Sequence, residues 1–410
     1  MHLLLDKQTG QLFFIDFNVD AAKAEKYEAR WREIKGRYKD IRVYLNRIDS
    51  LGEMLMRYFA MCEENKEEDT LYVTLPMRYT DRKRVANAFM NEYAGLCDGE
   101  ELDFWAYILK EHSDELNEDI GKFLSKNAFP AYFCKANSIK HHFTDEQVER
   151  GEEALRAMGI TGPFVCLAAR TPRFNTRTGV GEFEAANDRS RNMDFKDYSK
   201  TIAWLGEQGI QCVKMSRFEE PMDPIPNCID YSALHASDFM DLYTFSRCAF
   251  AVTCASGIST FANLFAKPLL MINVAIVSFG FGASRYTECD RFLTKVLYVR
   301  DPKRRCIKRF LTFREVFETE KRCSIFDERL TSRGIEWRDN TEDEILDAVK
   351  EMMARLDGTW TDTEEDEKLL ERWRDIYEEM DAFQRHSWGG GPQPSPPAAS
   401  FLRRHSFLLE

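Results

Sequence analysis

Hydrophobic and polar positions alternate in blocks along the second half of the chain, and the blocks predict strands followed by helices. The apolar run Phe164–Ala169 follows Gly162-Pro163 and predicts a buried strand. Apolar residues at helical spacing then predict a helix over Asp194–Leu205 that ends at Gly209. The same alternation continues through a strand at Ile210–Met215, a strand at Cys228–Tyr231, a helix capped by Ser237 or Asp238 and running to Phe245, a strand at Ala249–Cys254, a helix opened by Ser256–Thr260 and a strand at Pro268–Ile272. This pattern is typical of a parallel α/β sheet.

The first half and the C-terminus have separate patterns. Apolar runs at Ile41–Leu45 and Leu71–Leu75 predict strands, each followed by a helix-like stretch, so a second α/β domain is expected. Near the C-terminus, Thr341 and Glu344 have the spacing of a capping box at the start of an amphipathic helix. The expected domain boundaries are 1–155, 156–340, 341–387 for C-terminal helices, and 388–410 for a linker and docking tail.

The tail itself has two parts. Residues 389–399 are rich in glycine and proline and predict a flexible linker. The last residues, Ser400–Glu410, carry five large apolar side chains and are expected to dock either onto the body of the protein or onto a partner.

Composition and charge exclude several classes of protein. The 410 residues include 57 Lys and Arg against 69 Asp and Glu, which gives a formal net charge of −12. At 44% hydrophobic residues the chain is neither disordered nor fibrous, and so acidic a chain is a poor candidate for binding nucleic acid. Residues 361–385 hold ten acidic and four basic side chains, which is half of the net charge. The remaining body is only mildly acidic and can host a pocket for an anion.

Cysteines and the apolar runs indicate a compartment. None of the eleven cysteines has CxxC spacing, which favours reduced, buried thiols over a zinc or redox site. The start, Met1–Lys7, lacks the pattern of a signal peptide, and the longest apolar stretch, Leu269–Ala283, is too short to span a bilayer. We expect a cytoplasmic protein whose membrane contact, if any, is peripheral at the inner face. The basic cluster Lys303–Arg309 is either a solvated patch or a contact for anionic lipid or a lipid-linked diphosphate.

The strongest local signal for chemistry is Ala249–Thr260. Here a predicted strand enters a turn at Gly257, and a helix begins among Ser256, Ser259 and Thr260. Backbone N–H groups at a helix start favour a phosphate or carboxylate, and a glycine permits close approach. The equally weighted alternative is that Ser256 is only a helix cap and Gly257 only a turn residue.

Further candidates follow the predicted strands. Arg170 stands at the carboxyl end of the first strand of the sheet, the edge where ligands bind, and its guanidinium can hold a diphosphate bidentately. The alternative is an exposed arginine that starts a loop. Arg191 and Asn192 precede the next helix at the same crevice and are candidates for sugar or phosphate contacts. In the first half, Asp49 or Glu53 can serve as a general base, although capping and solvated charge are the favoured roles for both.

A dinucleotide-binding enzyme is disfavoured. Gly179-Val180-Gly181 matches half of the glycine fingerprint, but Glu184 occupies the place of the third glycine and the segment does not directly follow a strand.

The chain resembles poorly characterised bacterial glycosyltransferases encoded near surface-polysaccharide genes. The residues that carry the resemblance are Arg191-Asn192-x-Asp194 through Tyr198 with Ile202, Leu205 and Gly209, then Val213-Lys214-Met215, Asp230-Tyr231 with Phe239-Met240-Asp241, Ser256-Gly257 with Pro268 and Asn273, Gly334-Ile335 with Asp339-Asn340-Thr341-x-x-Glu344-Ile345 and Glu351-Met352, and the terminal Ser400–Arg404. It covers about 160–400 and extends weakly to Arg47-Ile48-x-x-Leu51. There Asp49 and Ser50 stand at positions where the family pattern has glycine and histidine.

This resemblance implies the fold and the reaction class. The implied fold is GT-B-like: two Rossmann-like domains face a cleft, the acceptor lies on the N-terminal side, the nucleotide-sugar donor lies on the C-terminal side, and a C-terminal helix and flexible tail follow. The expected function is metal-independent transfer of a sugar to a surface-polysaccharide, glycan or lipid-linked acceptor, with no cofactor beyond the nucleotide-sugar. The alternative is a non-catalytic sugar- or nucleotide-binding component of a polysaccharide assembly complex.

The site residues expected under this hypothesis form two groups. Arg170 and Asp49 are the catalytic candidates. The donor-binding candidates are Arg170, Arg191, Asn192, Lys214, Ser256, Gly257, Ser259 and Thr260.

Overall fold

The computed structural model divides the chain into two compact units, Met1–Tyr132 and Phe133–Glu410. It describes residues 2–5, 12–15, 19–47, 68–77, 87, 89–90, 96–97, 99–112, 115–116, 143–172, 189–217, 221–275, 287–301, 303, 306–322, 330–379 and 395–410. Within these ranges, no helix combines the length and the apolar character needed to cross a bilayer. Asp49, Glu53 and the 179–181 glycine segment lie outside the described residues.

The first unit packs two helices against paired strands. Its described elements are β1 (His2–Leu5), β2 (Leu12–Ile15), α1 (Ala21–Arg37), β3 (Asp40–Arg47), β4 (Thr70–Met77) and α2 (Gly99–Glu111). Strands β3 and β4 run parallel over eight residue pairs, which confirms both predicted strands. Trp31 of α1 meets Trp105 of α2 edge to face, with ring centroids 6.2 Å apart, and both indoles are buried in the core.

The second unit alternates helices and strands as the sequence pattern predicts. Its elements are α3 (Asp145–Ala157), β5 (Phe164–Ala168), α4 (Ser199–Glu207), β6 (Gln211–Lys214), β7 (Cys228–Ile229), α5 (Tyr231–Leu234), α6 (Asp238–Arg247), β8 (Ala251–Cys254), α7 (Ser259–Leu264), β9 (Leu269–Val274), β10 (Arg291–Thr294), β11 (Val296–Arg300), β12 (Ile307–Phe310), α8 (Phe313–Arg322), β13 (Ile335–Arg338), α9 (Glu342–Leu356), α10 (Glu364–Glu379) and α11 (Ala399–Arg404). The expected α/β class is therefore confirmed.

Six of the described strands form one parallel sheet in the spatial order β10-β9-β8-β5-β6-β7. Numbered along the chain and read from β7, this is the Rossmann order 3-2-1-4-5-6. The strand order reverses between β5 and β8, so the connections that leave these two neighbours go to opposite sides. The crevice outside their carboxyl ends is the place where such sheets bind ligands.

Two predicted elements differ in detail. Tyr231 was expected at the end of a strand, but it begins the one-turn helix α5, because Asp230 caps that turn by accepting from the Ala233 amide. The helix predicted from Asp194 starts as a 3₁₀ turn, Phe195–Tyr198, and becomes α-helical at Ser199. These differences lie at element ends, where side-chain caps compete with backbone pairing.

The C-terminal tail lies against the body of the second unit. Residues 396–398 run beside β10: the Phe292 amide donates to the Pro396 carbonyl at 3.2 Å, and the Ala398 amide donates to the Phe292 carbonyl at 3.0 Å. Helix α11 follows, and its Phe401 and Leu402 are buried. The tail thus covers one edge of the parallel sheet. Residues 395–399 of this packed segment belong to the 389–399 stretch for which a flexible linker was expected, and residues 389–394 lie outside the described residues.

Candidate functional site

Tyr198 ties together the two strands at the reversal of strand order. Its side chain is fully buried, and its hydroxyl lies 3.0 Å from the Ala168 carbonyl of β5 and 3.2 Å from the Val252 carbonyl of β8. Burial raises the pKa of this hydroxyl well above its usual range, so it stays protonated as a donor. Tyr198 is therefore a core residue that fixes the floor of the crevice.

Arg170 is a built part of this crevice and not an exposed loop residue. Only 8% of it is exposed. Its amide donates to Cys254 Sγ at 3.0 Å, which joins the ends of β5 and β8, and its Nη1 donates to Asn192 Oδ1 at 3.3 Å. Its carbonyl accepts from the Met193 amide at 3.0 Å. The guanidinium and the 192–193 segment are thereby held together at the carboxyl edge of the sheet.

Arg191 reaches the other strand of the crevice. Its Nε donates to the Ala255 carbonyl at 3.0 Å, directly before the Ser256-Gly257 turn. The structure thus brings Arg170, Asn192, Arg191 and this turn into one neighbourhood. The prediction that these segments share an edge follows from the parallel sheet, but their direct pairing was not foreseen.

The turn after β8 is organised by its hydroxyl groups. Ser259 Oγ donates to the Ser256 carbonyl at 2.6 Å, and Thr260 Oγ1 donates to the Gly257 carbonyl. Both hydroxyl protons are therefore used inside the turn. Helix α7 begins at Ser259 with Ile258 at the cap position, so Ser256 is not the helix cap. Among the described residues, the amides of Gly257 and Ile258 donate to no acceptor.

A cleft of about 480 Å³ opens beside Arg170, at the carboxyl ends of β5 and β6. It is lined by Ala169, Thr171, Pro172, Asn192, Met193, Asp194, Phe195, Lys214 and Ser216. Of the predicted donor-binding residues, Asn192 and Lys214 line this cleft directly. Arg170, Arg191 and the 256–260 turn lie around the neighbouring reversal point.

Lys214 is a buried and paired cation. Its side chain is 8% exposed, and Nζ lies 3.4 Å from Asp230 Oδ1 and 5.6 Å from the centre of the Phe195 ring. Burial acts to raise the pKa of Asp230, but the Met222 amide, the Ser232 hydroxyl and Lys214 outweigh it and lower that pKa below its usual value. Asp230 therefore stays ionised and holds Lys214 at the wall of the cleft.

A second buried lysine, Lys295, was not among the residues predicted from the sequence. Its side chain has no exposed surface, and Nζ donates to Asp339 Oδ1 at 2.5 Å and to the Asn192 carbonyl at 3.1 Å. The signal was present, since Lys295 interrupts the apolar run Phe292–Tyr298 and a lysine there must be paired. It fixes the backbone of the cleft wall at Asn192.

Asn273 and Asn340 form a reciprocal pair at the same edge. The backbone N–H of Asn340 donates to Asn273 Oδ1 at 2.6 Å, and the backbone N–H of Asn273 donates to Asn340 Oδ1 at 2.7 Å. Asn273 has φ +53°, a left-handed conformation that asparagine tolerates better than most residues. This pair joins the end of β9 to the start of α9 and sets where the neighbouring Asp339 lies.

Asp197, in the 3₁₀ turn that precedes α4, has a carboxyl group whose pKa is perturbed. Burial, followed by the like charges of Asp194, Asp339 and Glu342, raises its pKa to about 6. Within the part of the chain that the structure describes, no three His, Cys, Asp or Glu side chains are grouped so as to hold a metal ion. The chemistry that the arrangement supports is the binding of an anion by arginines and backbone amides.

Comparisons with known proteins give distant structural likenesses. No protein-family model and no curated protein sequence matches the chain. A glycosyl transferase family 9 structure from Veillonella parvula is similar at 9% identity, over 81% of this chain and 78% of that chain, with a TM-score of 0.35. The E. coli heptosyltransferase WaaC with ADP is similar at 10% identity, over 62% of this chain and 66% of that chain, with a TM-score of 0.22. The dodecameric iron-containing heptosyltransferase TibC in complex with ADP-D-beta-D-heptose is similar at 12% identity, over 78% of each chain, with a TM-score of 0.32.

Proposed function

We propose that this protein is a glycosyltransferase that moves a sugar from a nucleotide-sugar donor to a surface-polysaccharide or other glycan acceptor. One observation carries the proposal: a Rossmann-ordered sheet presents Arg170 and Arg191 at its reversal point, beside an open cleft of about 480 Å³. A crevice of this kind accommodates a nucleotide, and the two guanidinium groups suit its diphosphate.

The diphosphate is the group whose charge grows during the reaction. As the bond between the sugar and the diphosphate breaks, negative charge develops on the phosphate oxygen that carried the sugar. Under the proposal, Arg170, Arg191 and the free amides of Gly257 and Ile258 stabilise that charge. Such fixed donors can act without a divalent metal, so the proposed reaction is metal-independent. Ser259 and Thr260 support it by holding the turn, since their own hydroxyl protons are already used.

The cleft residues have a different proposed role. Asn192 and Lys214 line the cavity next to the arginines, where the sugar or ribose of the donor would lie. The Asn192 side chain is itself oriented by Arg170, and Lys214 is held by Asp230. Both groups are therefore pre-positioned, which reduces the entropy lost when a ligand binds.

The acceptor side belongs to the first unit in this proposal. A carboxylate there, with Asp49 as the candidate, would deprotonate the acceptor hydroxyl if the reaction inverts the sugar configuration. The proposed acceptor is a glycan or a lipid-linked precursor, and the proposed location is the cytoplasm, peripheral to the inner face of the membrane.

The test is calorimetric titration of the full chain with UDP-, GDP-, ADP-, CMP- and dTDP-sugars, with and without EDTA. One of these is expected to bind, and EDTA is expected to leave its affinity unchanged. Removing a charge-assisted hydrogen bond costs about 1.5–3 kcal/mol, so Arg170→Gln should bind it roughly 10–150-fold more weakly. The control is Arg156→Gln, at an exposed position in α3. Equal binding by Arg170→Gln and wild type, with both folded by circular dichroism, would refute the site.

A non-catalytic binding component is the second candidate, favoured by Asp49 and Ser50 at positions where glycine and histidine were expected. It predicts that the same nucleotide-sugar binds but is neither hydrolysed nor transferred. Release of free nucleoside diphosphate during incubation with donor, alone or with a polysaccharide precursor, would eliminate it.

A further inference from the structure

Strand β12 exposes apolar side chains at the edge of a small sheet. The sheet has the order β12-β11-β13, so among the described strands β12 pairs with β11 on one side and with no strand on the other. All four residues of β12 are exposed, with Ile307 at 45% and Phe310 at 40%. Among the described residues, these are two of four large hydrophobic side chains with such exposure. Two exposed apolar residues on one short strand need an explanation that scattered ones do not.

A bulge brings these two side chains to the same face. Tyr298 pairs with Phe310, and Arg300 pairs with Ile307, so β12 holds one more residue than β11 over this stretch. Paired residues point to the same side of a sheet, and Tyr298 and Arg300, two apart on β11, share one side. Ile307 and Phe310 therefore share a face although they are three residues apart. The Phe407 ring of the tail extends this apolar face, 5.3 Å from the Phe310 ring.

The segment that contains β12 is basic, whereas the whole chain is acidic. Over 300–310 the sequence has six basic residues and one acidic residue, a net +5 in a chain of −12. Among described residues, Arg300 pairs with Glu336 and Arg309 with Glu315, whereas Lys303 and Lys308 have no ion-pair partner. An apolar face rimmed by unpaired lysines is the pattern of a surface that lies on anionic lipid.

We infer that the β12 face, made of Arg300, Ile307, Lys308, Phe310 and Phe407, docks on an anionic bilayer surface. The positive charge attracts anionic headgroups, and Ile307 and Phe310 enter the headgroup boundary. Two copies of the chain that met through this same face would bring like charges together, which disfavours a symmetric dimer through it. Lysine and a bulge on an edge strand also hinder strand pairing with another protein.

This inference rests on the peripheral location in the proposed function and names the surface responsible. Its test needs no nucleotide, so it fails or succeeds separately from donor binding. The full chain is sedimented with vesicles of phosphatidylcholine alone or with phosphatidylglycerol at roughly one lipid in three, at low and high salt. We expect binding to the anionic vesicles only, and weaker binding as salt screens the charges.

Three variants and two matched controls identify the face. One basic residue near an anionic surface is worth about a five-fold change in binding, so Lys308→Ala should weaken it by about that factor and Lys308→Glu by more. The double variant Ile307→Ser with Phe310→Ser should weaken it at least as much. The controls are Leu234→Ser, whose side chain is 62% exposed elsewhere, and Lys368→Ala on α10.

Three results would overturn the inference: no binding to anionic vesicles, equal losses in the controls, or an unchanged affinity in Lys308→Glu. The lysine variants guard against misfolding, because Lys308 is exposed and its replacement leaves the core intact. If the double serine variant does not fold, the binding of Lys308→Glu to anionic vesicles alone tests the inference.

Discussion

Replacing Glu351 with glutamine is the most direct test of how the C-terminal tail is held. The Glu351 carboxylate lies in α9 with no exposed surface. It accepts from the amides of Ala399 at 3.1 Å and Ser400 at 2.8 Å, which are the first two residues of α11, and from Ser400 Oγ at 2.8 Å. It also pairs with Arg355 at 3.0 Å and lies 3.6 Å from Arg291 Nε. One buried carboxylate therefore anchors the helix start and balances two guanidinium groups.

The expected loss is large because the partners stay buried when the charge is removed. Breaking a buried ion pair from one side costs about 3–5 kcal/mol of unfolding free energy. Glu351→Gln keeps the shape but removes the negative charge that lies 3.6 Å from Arg291 Nε, and Arg291 is only 5% exposed. It also turns one carboxylate oxygen into an NH₂ group that faces other donors. We therefore expect a loss of at least about 3 kcal/mol in the unfolding of the second unit.

Urea unfolding gives the free energy, and hydrogen exchange locates the effect. The amides of residues 398–402 should exchange at least roughly 100-fold faster in Glu351→Gln, since tail release becomes cheaper than global unfolding. The matched control is Glu364→Gln, whose side chain is 84% exposed in an i,i+4 pair with Lys368 and should cost less than about 0.5 kcal/mol. A loss below about 1 kcal/mol in Glu351→Gln, with unchanged exchange in the tail, would refute the reasoning.

Three further predictions concern packing, pH and the cleft. Gly151→Ala should lower the free energy of unfolding in urea by about 1–3 kcal/mol or more, because its Cβ would lie 2.3 Å from the Tyr243 ring. The control Gly36→Ala, whose Cβ would have no atom within 4 Å, should be neutral or stabilising by up to about 1 kcal/mol. Asp197 has a folded pKa of about 6, above its usual 3.8, so its contribution to the stability of the wild type is lost as pH rises from about 4 through 6. Asp197→Asn should therefore flatten the dependence of the unfolding free energy on pH in this range. An unchanged dependence would contradict the assignment. Lys295→Met should weaken nucleotide binding about ten-fold or more by calorimetry, since its ammonium holds the cleft wall, and equal binding would show that the wall is held otherwise.

Short-range signals predicted the local elements of the second unit well. Thr341 and Glu344 form the predicted capping box at the start of α9, and Ser237 caps α6 as expected. These features depend on residues three or four apart, which a sequence displays directly. The strands β5, β6 and β8 were found from their apolar runs, within one or two residues at their ends. The antiparallel sheet of β11–β13 was not predicted, because its short strands alternate too little to be distinguished from loops.

The site was predicted as a location and not as a set of contacts. Arg170, Arg191 and the 256–260 turn were placed at one sheet edge because parallel strands end on the same side. The motifs quoted for the family resemblance also meet in pairs that no spacing reveals. Asn273 bonds Asn340, and Glu351 bonds Ser400, across 67 and 49 residues of chain. Asp49 stays a prediction, since it lies outside the described residues.

Local patterns in the chain were enough to predict the α/β class, most helices and strands of the second unit and the sheet edge at which Arg170 and Arg191 lie, because periodicity and caps are local properties of the chain. The strand order, the burial of Arg170 and the burial of Lys295 became known only from the three-dimensional fold, because strand pairing and the loss of solvent depend on residues far apart. The fold also decided that the tail covers the edge of β10 and that a bulge turns Ile307 and Phe310 to one face. A charge pattern along the chain does not show which charges are buried with partners and which remain in water.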